Sequence, residues 1–374
     1  MRLRLLCAFA SWPIVGFASE SYIDIAPVIK EQPGRDLVLE VPASERVTYA
    51  EIILKTQGGE GQRGEVGVQK QDGKPGGSIR IDVAGQLTLD GSQKTGLEAS
   101  SIGANSIDGS NAFNFSAGPS GSGEVVYRQS GSVLRSGGDD REGFAVDLSS
   151  RAGDWQGYRE QDQESRPWRE FRGAESGSVE GSLVDGASIK SDSGGIRVAS
   201  YGGSIAPVWQ VRRETFNELS EILKDKDLID KDTLLRFEGE NRVQNAGDVR
   251  VSITGATIET AGVAVSALSE GGGMGDYTGS DQNRPGGNAG AAVIRLERYS
   301  NVQTSGRSAH GLVAQSLGGS VSKGKAGSLI LLGKDGAPGG SGGNAAASVS
   351  KDSTVVTSGD LAFGLFLQSS GAGG

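Results

Sequence analysis

Few residues in this chain of 374 have the chemistry of a reactive centre, and their spacing argues against most of it. The string Asp192-Ser193-Gly194-Gly195 has the form of a serine nucleophile on a glycine turn. Acyl transfer at such a serine needs a histidine base beside it. The chain has one histidine, His310, and it lies downstream. Carboxylates adjoin at Asp139-Asp140 and again at Asp225 and Asp227. Glycoside hydrolysis needs two carboxyls held at a defined separation across the bond, and adjacency in sequence supplies none. Gly272-Gly273-Met274-Gly275-Asp276 is a single glycine–aspartate run, not a tandem calcium-binding nonapeptide. The one cysteine, Cys7, lies in an apolar leader, so one histidine and no mature cysteine leave no zinc ligand set. Gly324-Lys325 lacks the glycine loop and following helix of a phosphate site. The expectation is no catalytic residue, no cofactor and no metal.

The richest constellation of large side chains is Trp155, Tyr158, Trp168 and Phe171, set among charges within Arg151–Arg172. Aromatic rings and arginines on an excursion loop suit an interaction patch. They equally suit a seal over the flank of the molecule, and the residues leave both readings open.

What must position these residues is a repeat. Gly311-Leu312-Val313-Ala314-Gln315-Ser316-Leu317-Gly318 defines a core of glycine, bulky apolar, any, apolar, any, serine, apolar, glycine. Matching cores begin at Gly96 and Gly195, with looser copies at Gly143, Ala264 and Gly364. The intervals lie between 47 and 53 residues, apart from one of 69. The first repeat-like segment after the leader is Ile52–Gly59. Glycines Gly91, Gly138, Gly306 and Gly359 precede four copies, each after a short alternating piece such as Gln86–Leu89 or Asn301–Thr304. Further upstream lie longer alternating runs, as in Ile79–Val83, Val249–Ile253 and Val293–Leu296. Period-two alternation rich in Val and Ile and bounded by Gly predicts strands. One unit thus reads as strand, turn, short strand, glycine turn, strand and glycine-rich loop. Fold class follows: an all-β, elongated parallel β-solenoid or β-helix of units near fifty residues, its handedness open.

Sixty-one glycines suit tight turns, and aromatics at 6% suit a narrow interior of small side chains. The oversized interval holds the one helical pattern, Trp209–Glu240, with Phe216, Leu219, Ile222 and Leu223 at helical spacing. The N-terminus reads as a secretory leader: Arg2 and Arg4, an apolar run over Leu5–Phe17, and cleavage after Ala18. Its loss leaves 35 basic against 46 acidic residues, a net −11, which disfavours nucleic acid as a partner. Four parts result: leader 1–18, repeats 19–204 with a polar excursion at 151–172, a helical insertion at 205–242, and repeats 243–374. The last part stops in the glycine run that elsewhere leads into another unit, and is read as truncated.

Thr304–Ser320, TSGRSAHGLVAQSLGGS, resembles the glycine-rich passenger repeats of proteobacterial autotransporters. The likeness is closest over Gly247–Gly374 and thinner over Glu51–Ser204. It implies export through the periplasm, partnership with the outer-membrane translocation machinery, and a surface-displayed or secreted β-solenoid. The implied role is a structural stalk with adhesion to a host or neighbouring cell. No barrel-like run of alternating strands is present, so the translocator is missing, truncated or on another chain. The rival classes are a polysaccharide-acting β-helix enzyme and a secreted matrix protein.

Overall fold

The computed structural model describes residues 20–29, 32–61, 73–105, 120–137, 143–154, 174–203, 245–273, 286–320 and 339–372. Among them are twenty-two strands and no helix. They form three sheets, and every pairing within a sheet is parallel. The fold class expected from the repeat is therefore what is observed. The helical pattern at 205–242 lies outside the described residues.

The first sheet stacks β2 (Leu37–Val41), β5 (Ile79–Val83), β8 (Val125–Gln129), β11 (Val179–Leu183), β14 (Val249–Thr254), β17 (Ala292–Glu297) and β20 (Ala345–Val349). The second stacks β3 (Arg46–Tyr49), β6 (Gln86–Leu89), β9 (Ser132–Arg135), β12 (Ser188–Ser191), β15 (Thr257–Thr260), β18 (Asn301–Thr304) and β21 (Thr354–Thr357). The third holds β1 (Tyr22–Ile25), β4 (Ile52–Gln57), β7 (Leu97–Ile102), β10 (Phe144–Arg151), β13 (Gly194–Tyr201), β16 (Val265–Glu270), β19 (Leu312–Leu317) and β22 (Leu365–Ser370). A coil is one strand from each sheet in chain order, so β2, β3 and β4 make the first coil and β20, β21 and β22 the seventh. The short alternating pieces are the second-sheet strands, and the repeated core is the third-sheet strand.

Two readings need correction. The copy placed at Gly143 starts at Ala145, because Val146 pairs with Leu97 on one side and Ile196 on the other. Glycine misled the match: the first position needs only a small residue, and Ala145 and Ala264 both occupy it. The spacing around that copy becomes 49 and 50 residues. The stack also begins before Ile52. Leu37-Val38-Leu39-Glu40-Val41 alternates buried and exposed, and it pairs in register with Ile79–Val83.

The interior is built of columns. Ile52, Leu97, Val146, Ile196, Val265 and Leu312 fall on one line, and Leu54, Ala99, Leu148, Val198, Ala267 and Ala314 on the next. All twelve are buried. Neighbouring strands are about 4.8 Å apart, so each unit buries its inward layer only against the coils above and below. Where one coil carries a large group its neighbour makes room: the buried Tyr127 pairs with Gly181. The phenol donates to Gln129 Oε1 at 2.9 Å, and the Gln129 amide donates to Gly131 O and Ser188 O at 3.1 and 2.8 Å. A buried tyrosine and glutamine are thus satisfied, as interior polar groups must be.

Candidate functional site

The serine of the repeated core turns inward, and its column is Thr56, Ser101, Ser150, Ser200, Ser269, Ser316 and Ser369. A second column runs beside it, two residues ahead of the first-sheet strand in the second to seventh coils: Gly77, Gly123, Gly177, Gly247, Gly290 and Gly343, with Arg35 in that place in the first. The two columns are laced together. Ser101 Oγ donates to Gly77 O at 2.7 Å and accepts from Gly123 N at 2.8 Å. Ser269 donates to Gly247 O at 2.9 Å and accepts from Gly290 N at 2.8 Å. Ser316 donates to Gly290 O at 2.7 Å and accepts from Gly343 N at 2.6 Å. Ser150 donates to Gly123 O and Ser200 to Gly177 O, at 2.8 and 3.0 Å. The hydroxyls of Thr56, Ser101, Ser200, Ser269 and Ser316 therefore join the end of one coil to its own start and to the start of the next, while at Ser150 the link to Gly177 N runs through Ser122 Oγ.

The glycines are required by that approach. A Cβ on Gly290 would lie 2.5 Å from Gly247 O, and one on Gly247 would lie 2.6 Å from Gly177 O. Both obstacles are backbone, so a side chain would push the coils apart. Hydroxyl and glycine together close the corner between the third and first sheets. The long connections all leave and return there: 58–78, 103–124, 152–178, 202–248, 271–291 and 318–344. The other corners are shorter, from pairs such as Ala84-Gly85 and Ser130-Gly131 to the stretch 136–143. The expected patch of Trp155, Tyr158, Trp168 and Phe171 belongs to one of these connections and lies outside the described residues. Asp139-Asp140, Asp225, Asp227, Met274-Gly275-Asp276 and Gly324-Lys325 also lie outside the described residues.

The structure places Ser193 and His310 apart. Ser193 is buried. Its hydroxyl accepts from the Arg135 guanidinium and lies 3.1 Å from Ser191 Oγ. Arg135 is itself buried and donates to Gln93 O and Lys94 O at 2.7 and 2.8 Å. His310 occupies the slot of Gly194 two strands further along the third sheet, roughly 10 Å away by strand spacing. Its Nδ1 accepts from Phe363 N at 3.1 Å, and its ring stacks on Phe363 and Phe366 with centroids at 5.3 and 5.9 Å. Among the described residues no group of three or more His, Cys, Asp or Glu is placed to hold a metal ion.

One charged cluster sits on the outer side of the third sheet. Arg197 Nε donates to Asp147 Oδ1 at 2.8 Å, and a second bond joins Nη2 to Oδ2. The guanidinium lies 5.2 Å from the Phe144 ring centroid, within cation–π range. Burial pulls the Arg197 pKa down, but the bonds to Asp147 and its charge outweigh that, and the net direction is up. Tyr201 beside it is raised, chiefly by burial. The cluster is a paired charge held beside an aromatic ring.

The serine–glycine ladder escaped the sequence reading, although both columns were visible. The signal was the recurrence of serine at the sixth core position together with a glycine two residues before each long alternating run. Compared with known proteins, the chain matches no family model, and no curated protein or solved structure is similar to it.

Proposed function

We propose that this chain is the passenger region of an autotransporter, displayed at the cell surface or secreted, acting as a stalk that presents adhesive loops. The observation that carries this reading is the gathering of all six long connections at one corner of a regular stack. Such a body separates two tasks. The coils set length and stiffness, and the connections vary in length without disturbing the coils, because the serine and glycine columns fasten their bases. Loops on a rigid scaffold are where contact residues concentrate. The AQS-containing repeat and the leader at 1–18 are the sequence support for export.

The test is display. Cells producing the chain are labelled with an antibody to it before and after lysis, and its N-terminus is sequenced. The expected result is labelling of intact cells or protein in the medium, with an N-terminus at Ser19. Retention inside the cell with Met1 or Arg2 still present would refute export. Beads coated with the exported protein should adhere to cells, and deletion of 155–172 should weaken that adhesion.

A further inference from the structure

The third coil interrupts the aliphatic part of the interior. Its first-sheet strand puts Gln129 into a column that otherwise reads Val41, Val83, Leu183, Ile253, Leu296 and Val349. Tyr127 stands in the column beside it, between Ile81 and Gly181. The second-sheet strand puts Arg135 between Leu89 and Ser191. All three side chains are buried. A satisfied buried polar set adds little stability over a well-packed apolar one, so stability alone does not account for this layer.

Two of the three are matched by features of the fourth coil that the fifth and sixth lack. Tyr127 lies against Gly181, where the fifth and sixth coils carry Val251 and Ile294. Arg135 reaches the Ser193 hydroxyl, where those coils carry Gly262 and Ala309. On its other side the guanidinium holds Gln93 O and Lys94 O of the second coil at 2.7 and 2.8 Å. Elsewhere such marks are missing. Val251, Ile253 and Ile258 of the fifth coil correspond to Ile294, Leu296 and Val302 of the sixth, and apolar burial alone would accept one set for the other.

We propose that Tyr127, Gln129 and Arg135 form a stacking key that admits the fourth coil onto the third and disfavours the fifth or sixth there. With the fifth coil in that place, the Tyr127 ring would meet Val251 in a filled interior. The guanidinium would stay buried and lose the Ser193 hydroxyl. A buried polar group that one neighbour satisfies and others do not is how coiled coils fix their register. Mis-stacking is the failure to which repeated units are prone. The key lies where the connection 152–178 leaves β10 and returns as β11, so it also sets the height at which that connection stands.

The experiment uses the full chain with Cys7→Ser and two reporter substitutions, Ser132→Cys and Thr257→Cys. These positions lie on the outer side of the second sheet in the third and fifth coils, with Ser188 between them. Two strand spacings set their Cα atoms about 10 Å apart, beyond the roughly 7 Å that a disulfide spans. A bridge therefore forms only where the fifth coil lies directly on the third. The protein is unfolded in urea and refolded under oxidising conditions, and the intramolecular bridge is quantified by peptide mass mapping. One variant erases the key: Tyr127→Ile, Gln129→Val and Arg135→Leu copy Ile81, Val83 and Leu89 of the second coil, and Gly181→Val and Ser193→Gly copy Val251 and Gly262 of the fifth. Bridging should rise about tenfold or more over the parent, with no fall in the urea midpoint. A second variant keeps the third coil and gives the fifth the matching features through Val251→Gly and Gly262→Ser. Bridging should rise there too, and this variant decides the matter if the first does not fold. Bridging at the parent's level in either folded variant would overturn the proposal, since the polar layer would then leave the stacking order unaffected.

Discussion

Replacing Ser269 with alanine tests the ladder most directly. The side chain is fully buried, and its one oxygen serves two backbone groups that have no other described partner. Removing it orphans Gly247 O and Gly290 N together. A net hydrogen bond contributes about 1 kcal/mol, and a buried group left unpaired costs about 1–3 kcal/mol. Both bonds lie at a half-buried corner, where water offsets part of the loss. The expected destabilisation is therefore about 2–4 kcal/mol. In a stack of repeats this appears locally before it appears globally. Exchange of the Gly290 amide should accelerate roughly 30- to 1000-fold. Ser269→Thr should restore most of the protection, because Thr56 fills the same column and donates to Arg35 O at 2.8 Å. A Ser269→Ala protein within about 0.5 kcal/mol of the parent, with Gly290 exchange unchanged, would refute the reasoning.

Three further outcomes are expected. Gly290→Ala should cost more than about 3 kcal/mol in urea unfolding, since overpacking against backbone allows little relief, and its methyl would meet Gly247 O, Gly247 C and Asp248 N at 2.5 to 2.8 Å. Burial raises the Tyr127 pKa far above its ordinary value of 10.0. The folded state therefore favours the protonated phenol, and the resulting stability is present below pH 10 and lost as pH rises beyond it. Tyr127→Phe should flatten that alkaline loss in melting temperatures, at a cost near 1 kcal/mol at neutral pH for the bond to Gln129. Asp147→Ala should destabilise by roughly 1–3 kcal/mol, between the values for exposed and buried pairs because the Arg197 side chain is 39% exposed. Conversely, high salt should leave most of that difference intact, and a difference abolished by salt would mark the pair as a surface contact.

The alternating runs were legible because a strand with one buried face must repeat every two residues. Leu97, Ile196 and Leu312 align in sequence for that reason. Near Gly143 a glycine anchor sets the copy two residues early, because Ala145 serves as well at that corner. Leu37–Val41 is harder to see because Arg35 stands where each later run has a glycine. Ser193 looked reactive in sequence because Asp-Ser-Gly-Gly is defined by neighbours along the chain. Its actual partner, Arg135, stands one coil below, and only stacking brings the two together.

The amino-acid sequence alone determined the unit, its period and the parallel stack, since apolar alternation, glycine turns and repetition are all local properties. The tertiary structure decided the register and the fastening. A hydroxyl can join two coils only when strands some fifty residues apart lie side by side, and a glycine is needed only where another backbone comes within contact. Neither condition can be stated until the coils are stacked.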